Sequence, residues 1–187
     1  MKTILAVSGS LRKESFNSAL VRAWQAQAPE GVTLDIISAD EVRALPPYDT
    51  DLEKSAYPKE ASALKDRIRR ADGVLIATPE YNRAVPGVLK NLLDWTTRPY
   101  GDNPFDAKPI YVIGASSGAI GTALAQYNLK TILLYFNARV MGQPEFYVGM
   151  GAEKFTDGVL TDEATKEHIT KGWNAFLAFI DSFVPRA

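Results

Sequence analysis

The sequence predicts an α/β protein in which helices cover both faces of a five-stranded parallel sheet. Three observations carry this. Short apolar runs alternate with longer amphipathic stretches, in the order β-α-β-α-β-α-β-α-β-α. Several of the short runs are continuously apolar, as strands buried on both faces are. The loops after the first, third and fourth of them carry polar residues together with Gly or Pro, and doubly wound sheets bind ligands beyond the carboxyl ends of their strands.

Taken in order, Ile4 to Val7 reads as the first buried strand. From Phe16 the period becomes helical, with Leu20, Val21 and Trp24 on one side and Ser15 as N-cap. Val32 to Ile37 alternates as a strand, and Arg43 to Tyr57, rich in Pro, Asp and Tyr, reads as a surface connection. A helix follows from Pro58, with Ala61, Leu64, Ile68 and Ala71 on one face. Gly73 to Thr78 is the next buried strand, stopped by Pro79. Pro86 opens a helix bearing Val88, Leu89, Leu92, Leu93 and Trp95. Arg98 to Lys108 is a loop, Pro109 to Ala115 the fourth strand, and Ile120 to Tyr135 a helix. Extended chain is expected around Val140 and from Phe146 to Val148. The last helix places Ile169, Trp173, Phe176, Ile180 and Phe183 on one stripe, with Asp162 and Glu163 at its positive end. No repeat or linker divides the chain, so residues 1–187 read as one domain.

Composition removes several function classes. A net charge of −1 argues against nucleic acid as a partner, because phosphate-backbone binding needs a basic excess. With no cysteine there are no disulfides, thiolate metal sites or cysteine nucleophiles, and His168, the one histidine, builds no metal centre. Redox chemistry would have to come from a bound organic cofactor. The apolar start Met1 to Val7 is too short for a signal peptide, and no segment approaches ~20 apolar residues. The expectation is a cytoplasmic protein with no membrane partner.

The first loop, Gly9 to Ser18, joins a buried strand to a helix, so backbone N–H groups and the helix dipole converge on one anion. Ser10, Ser15 and Ser18 offer hydroxyls, Asn17 an amide and Arg12 a planar fork suited to phosphate. The loop has neither the spaced glycines of a dinucleotide fingerprint nor the Gly-Lys-Ser/Thr of a triphosphate loop, so a single terminal phosphate fits it better. For the serines alone, a helix-capping turn is the competing account. In the second loop, Thr78 to Gly87, two prolines stiffen the chain and Tyr81 supplies a flat surface. Asn82 and exposed backbone can bond the polar edge of a heterocycle, while Glu80 suits a structural carboxylate better than an acid catalyst. Arg83, next along, is placed to meet an anionic cofactor or acceptor at the mouth, or else is a solvated surface cation.

Gly9-Ser10-Leu11-Arg12 with Ser15-Phe16-Asn17, then Pro79-Glu80-Tyr81-Asn82 with Val85-Pro86-Gly87, and then Lys90-Asn91 and Asp94-Trp95, resemble the NADPH-dependent FMN reductase family. Its members include bacterial quinone, azo-dye and chromate reductases. The fold reading is accordingly a flavodoxin-like sandwich with sheet order 2-1-3-4-5. The resemblance implies that Ser10, Arg12, Ser15, Phe16 and Asn17 bind the phosphate end of FMN. It places Pro79, Glu80, Tyr81 and Asn82 along the isoalloxazine, and Ser116, Ser117 and Gly118 in a third flavin-side loop. Gly121-Thr122 departs from the Gly-Gly pair of many relatives. The implied reaction is ping-pong: hydride passes from NAD(P)H to flavin N5, then to a quinone, azo or nitro compound, chromate or free flavin. No side chain is needed as a catalytic group, and no metal. Homodimers or tetramers are implied as well, with Tyr100 or Phe105 capping a neighbour's pocket.

Two other readings compete. Gly114-Ala115-Ser116-Ser117-Gly118 matches a nucleophile elbow, with Asp157 or Asp162 and then His168 in triad order. That hydrolase would need His168 on a loop rather than in a helix, has no His-Gly-Gly motif for its oxyanion hole, and leaves both longer motifs unexplained. A flavodoxin-like electron carrier would show marked acidity and a Thr/Ser/Gly phosphate loop, and this chain shows neither. Trp24, Trp95 and Trp173 read as core or interface residues, and His168 as a surface one.

Overall fold

β1 (Lys2–Ser8) sits inside the sheet because Ile4 to Val7 have no exposed face to offer water. This is seen in a computed structural model that describes residues 1–183. In chain order there follow α1 (Phe16–Ala26), β2 (Val32–Ile37), α2 (Ala39–Arg43), α3 (Thr50–Ser55), α4 (Lys59–Arg70), β3 (Gly73–Ala77) and α5 (Gly87–Thr96). Next are β4 (Pro109–Ala115), α6 (Ala123–Tyr135), β5 (Arg139–Val140) and β6 (Phe146–Val148). The chain then forms α7 (Gly151–Lys154), β7 (Phe155–Thr156), β8 (Val159–Leu160) and α8 (Glu163–Asp181).

The sheet is parallel, in the order β2-β1-β3-β4-β5, as the sequence predicts. Its fifth position is shared: β5 pairs with the start of β4 and β6 with its end. Alternate residues of the central strands feed two separate cores. Leu5, Val7, Val74, Ile76, Ile110 and Val112 pack under α4, α5 and α6. Ile4, Ala6, Leu75, Ala77, Tyr111 and Ile113 pack under α1 and α8. Both faces are thus dry, which is why these strands carry no polar alternation.

Five expectations change. The segment from Arg43 to Tyr57 is not a plain surface connection. It holds the end of α2 and all of α3, buries Leu45, and brings Tyr48 and Tyr57 edge-on to Trp95. Helix α6 begins at Ala123 rather than Ile120 because Gly121 and Thr122 both adopt positive φ, which ends any helix running into them. Phe183 lies beyond α8 and is exposed, its ring under the Arg139 guanidinium. His168 is half-buried against Phe146, and that burial pulls its imidazole below the usual range. The loop from Arg98 to Lys108 is irregular but pinned, since buried Lys65 donates to the Arg98 carbonyl and to Asp102. Phe105 is buried against Phe136 and so has no exposed ring to cap a neighbour, whereas Tyr100 stays in solvent.

Helices α1 and α8 meet at Trp24 and Trp173, whose rings lie 4.9 Å apart, with Trp173 Nε1 donating to the Trp24 carbonyl. Gly172 permits this approach, since a Cβ there would stand 2.6 Å from Trp24 Cη2. Gly172→Ala should therefore destabilise the protein by about 1–3 kcal/mol through overpacking. In an open helix the same change would stabilise by roughly 0.5–1 kcal/mol. Denaturant unfolding followed by tryptophan fluorescence decides the sign.

Candidate functional site

Parallel strands that start level end level, so β1, β3 and β4 deliver their following loops to one edge of the sheet. A cavity of about 290 Å3 opens there. The first loop lines it with Ser10, Arg12, Ser15, Phe16 and Asn17, the second with Pro79, Glu80 and Tyr81, and the third with Ser116 and Ser117. Of the residues expected from the sequence, Asn82, Arg83 and Gly118 lie outside this lining, while Ala115 is an addition.

In the first loop, Ser15 is the N-cap of α1, accepting from Ser18 N, and Ser10 accepts weakly from Arg12 N. Capping and anion binding are not exclusive, because a hydroxyl that accepts at its oxygen still has its proton to donate. No group among the described residues accepts from the N–H of Phe16 or Asn17, the first two residues of an eleven-residue helix. Such N–H groups favour an anion. The Asn17 amide is largely engaged: Nδ2 donates to the Ala115 carbonyl, and Oδ1 accepts from Ala115 N, both at 2.9 Å. One Nδ2 hydrogen is left. The exposed Arg12 guanidinium donates one N–H to the Glu14 carbonyl at 2.7 Å.

Tyr81 to Ala84 closes a tight turn with reciprocal backbone bonds, and its central residues Asn82 and Arg83 both have positive φ, 52° and 67°. That is the mirror-type turn usually made by Asn-Gly. An arginine in the glycine position is conformationally costly. The turn leaves the N–H groups of Glu80 and Asn82 without acceptors among the described residues. Tyr81 is 50% exposed at the cavity's edge.

Glu80 behaves as a structural carboxylate. Its Oε2 accepts from Ala125 N in the first turn of α6, at 3.0 Å. The Thr122 N-cap provides no side-chain cap of its own and sits at φ 71°, a conformation a β-branched residue rarely adopts. The departure from Gly-Gly is thus a strained position. Buried Thr122 is tied by a bond from Gln126 Nε2 to its hydroxyl. The third loop is braced from behind, with Gly151 N donating to the Ser116 carbonyl and Met150 N to that of Gly118. These supports span too much sequence to be read from local pattern.

The nucleophile-elbow reading fails on geometry. The Ser116 hydroxyl donates to the Gly118 carbonyl, and His168 lies inside α8 with its ring on Phe146. Asp162 is the N-cap of α8, and Asp157 sits in the β7–β8 turn. Among the described residues there is no group of His, Asp or Glu suited to a metal, and no helix long and apolar enough to cross a membrane.

The donor set fits a phosphorylated flavin. One loop offers free helix N–H groups, hydroxyls and a guanidinium to an anion. The second offers backbone N–H groups and a tyrosine beside them, and the third its serines, suited to a flat, acceptor-rich heterocycle.

Comparison with known proteins agrees with the geometry. Residues 2–153 match the family described as NADPH-dependent FMN reductase. The chain is 40% identical to a 2-hydroxy-1,4-benzoquinone reductase from a Burkholderia species over 178 residues, 95% of each chain. It is 39% identical to a quinone reductase of Escherichia coli over 180 residues, covering 95% of this chain and 94% of that one. Among solved structures, the flavoenzyme NAD(P)H:(acceptor) oxidoreductase FerB of Paracoccus denitrificans superposes with a TM-score of 0.88 at 42% identity. That match covers 97% of this chain and 98% of FerB.

The Glu80 carboxylate is expected to matter as a tie between loops. Glu80→Ala should lower stability by about 1 kcal/mol, the usual scale for a lost helix cap. Glu80→Gln, which keeps an acceptor oxygen, should recover part of it. Thermal melts of the two variants beside the wild type check the order, and equal midpoints for all three would show that the contact contributes nothing.

Proposed function

Because the chain belongs to the NADPH-dependent FMN reductase family, we propose that it reduces quinones in a ping-pong cycle in which NAD(P)H leaves before the acceptor enters. The protein is an NAD(P)H-dependent FMN and quinone reductase with FMN as cofactor. When bound, FMN supplies a two-electron relay that takes a hydride at N5 and releases it to the acceptor. Azo compounds, nitroaromatics, chromate and free flavin are further acceptors in this reading. It takes residues 1–187 as one domain, at work in the cytoplasm.

The observation that carries the proposal is the meeting of three loops at one cavity, the first two of them with N–H groups that have no acceptor among the described residues. In it, Ser10, Arg12, Ser15, Phe16 and Asn17 hold the phosphate end. The backbone from Pro79 to Asn82 lies along the ring and holds its polar edge, and Ser116, Ser117 and Gly118 close the third side. No side chain donates or removes a proton in this scheme; the chain binds, orients and leaves one face of the pocket open. Arg83, projecting from its strained turn at the mouth, meets the anionic dinucleotide. Assembly into a dimer or tetramer accounts for α6, which exposes Leu124, Tyr127, Leu134 and Tyr135 while burying Leu129 and Leu133 on its other side.

The test is spectroscopic. Purified or reconstituted protein should show flavin absorbance that bleaches on anaerobic addition of NADPH and returns on addition of a quinone. Initial rates at several quinone concentrations should give parallel double-reciprocal lines. A protein that takes up no FMN, or flavin bands that NADPH leaves unbleached, would overturn the proposal.

Two arginines should separate by role. Arg12→Ala should weaken FMN binding by about 2–3 kcal/mol and riboflavin binding far less, because only FMN has the phosphate. Arg83→Ala should leave FMN affinity unchanged and raise the Michaelis constant for NADPH, by about 1–2 kcal/mol at low salt and less as salt screens the contact. Flavin fluorescence titrations and stopped-flow reduction read the two effects independently.

A further inference from the structure

The first loop has a second, outer face. A groove of about 550 Å3 runs between α1 and the junction of β2 with α2, and shares Ser10 and Arg12 with the flavin cavity. Val21, Ile36 and Ile37 lie along it, with the hydroxyls of Ser8 and Ser38. Its rim carries Lys13, Arg22 and Arg43, all exposed. With Arg12 that makes four cations around one groove, in a chain whose net charge is −1. Of these four, only Arg43 pairs with a carboxylate among the described residues, that of Asp40.

The heads of two rim arginines are held in place, Arg43's on Leu11 of the groove itself and Arg22's on Gly158 of an adjoining cavity that Arg12 and Lys13 also line. Arg22 Nη2 donates to the Gly158 carbonyl at 3.0 Å, and Arg43 Nη2 to the Leu11 carbonyl at 3.1 Å. Each guanidinium has five N–H donors, so both keep several for a ligand. Arg43 also lines a smaller cleft of about 350 Å3, mainly apolar, which includes Leu11, Leu45, Pro47 and Val88 and reaches Gly87 at the end of the second loop. The surface from the second loop across Leu11 to the basic groove is therefore continuous, apolar first and cationic after.

The single phosphate of FMN is accounted for by the inner face of the loop. The outer cations are in excess of it, and they stand beside an apolar cleft. We propose that the apolar cleft and basic groove take the adenosine end of NADPH, with Arg22, Arg43 and Lys13 around its 2′-phosphate, so that they set a preference for NADPH over NADH. This rests on the reading of the chain as an NAD(P)H-dependent reductase. The 2′-phosphate is a dianionic phosphate monoester for which multidentate guanidinium contacts are well suited. It is also the one group by which the two dinucleotides differ. Arg83 at the cavity mouth would by contrast meet the pyrophosphate that both share.

The experiment uses FMN-loaded protein and three variants: Arg22→Ala, Arg43→Ala and Asp40→Asn. Loss of either arginine should raise the Michaelis constant for NADPH about tenfold at low salt and leave that for NADH within about twofold. Asp40→Asn should shift NADPH the other way, because it removes a carboxylate from the groove and frees the Arg43 head. This exposed position carries little risk to folding. Calorimetry with adenosine 2′,5′-bisphosphate gives a readout independent of turnover. The wild type should bind it more tightly than 5′-AMP, and the arginine variants should lose the difference. Inorganic phosphate competing as well as the bisphosphate would show a general anion groove and overturn the assignment. So would equal changes for NADH and NADPH, or an unmoved ratio in all three variants. If the flavin of the wild type is not bleached by NADPH, the reductase reading is what fails, while the bisphosphate titration still reports on the groove.

Discussion

The paired bonds between the Asn17 side chain and the backbone of Ala115 join two parts of the chain 98 residues apart, and the site depends on them. Both bonds are buried, where an amide that lost its partner would cost roughly 1–3 kcal/mol. That penalty fixes the start of α1 against the end of β4. The first and third loops are thereby tied together where both line the cavity. Without such a tie each loop would be a flexible connection with its own entropy, and binding any ligand between them would first have to order both.

The same logic recurs at Glu80, where a carboxylate on the second loop satisfies the first turn of α6, and at Gly151 and Met150, whose N–H groups hold the third loop from behind. Three loops are held rigid by contacts on their outer sides while several N–H groups on their inner sides stay free. Donors at a helix start or in a tight turn are free to bond a ligand in place of water. Several of them beside one strand-end cavity suit a ligand with several acceptors. The strain at Arg83 and Thr122 belongs to this pattern, since non-glycine residues at positive φ persist where surrounding structure holds them.

Charge is distributed with similar economy. The chain is nearly neutral, and many of its cations are paired on the surface, such as Lys2 with Asp181 and Lys166 with Glu163. Such exposed pairs contribute little to stability. Around the first loop Arg12, Lys13 and Arg22 have no carboxylate partner among the described residues, so the positive potential there is local rather than global. A protein that was basic overall would attract polyanions indiscriminately. One that is basic only at a loop beside a flavin cavity favours small phosphorylated ligands.

The parallel sheet and the three loops that matter were legible in the residue pattern, and the strand order followed from the family resemblance. Burial on both faces writes continuous apolar runs at Ile4–Val7 and Gly73–Ala77, and the motifs Gly9–Asn17 and Pro79–Gly87 are local enough to be read directly. Short helices escaped: α2 and α3 are five and six residues long, less than two turns, and leave no clear period among the prolines and acids of that segment. The sharing of the fifth sheet position between β5 and β6 escaped for the same reason, since two or three residues carry no alternation. Which polar groups are already engaged could be seen only once the chain was folded. Asn17 looks like a ligand donor in sequence and is for the most part a brace, and Glu80 gained its partner, the N–H of Ala125, from a helix 45 residues away. Residue type declares what a side chain can bond to, but hydrogen bonds saturate. Whether any bonding capacity is left for a ligand depends on neighbours that only the folded chain brings within reach.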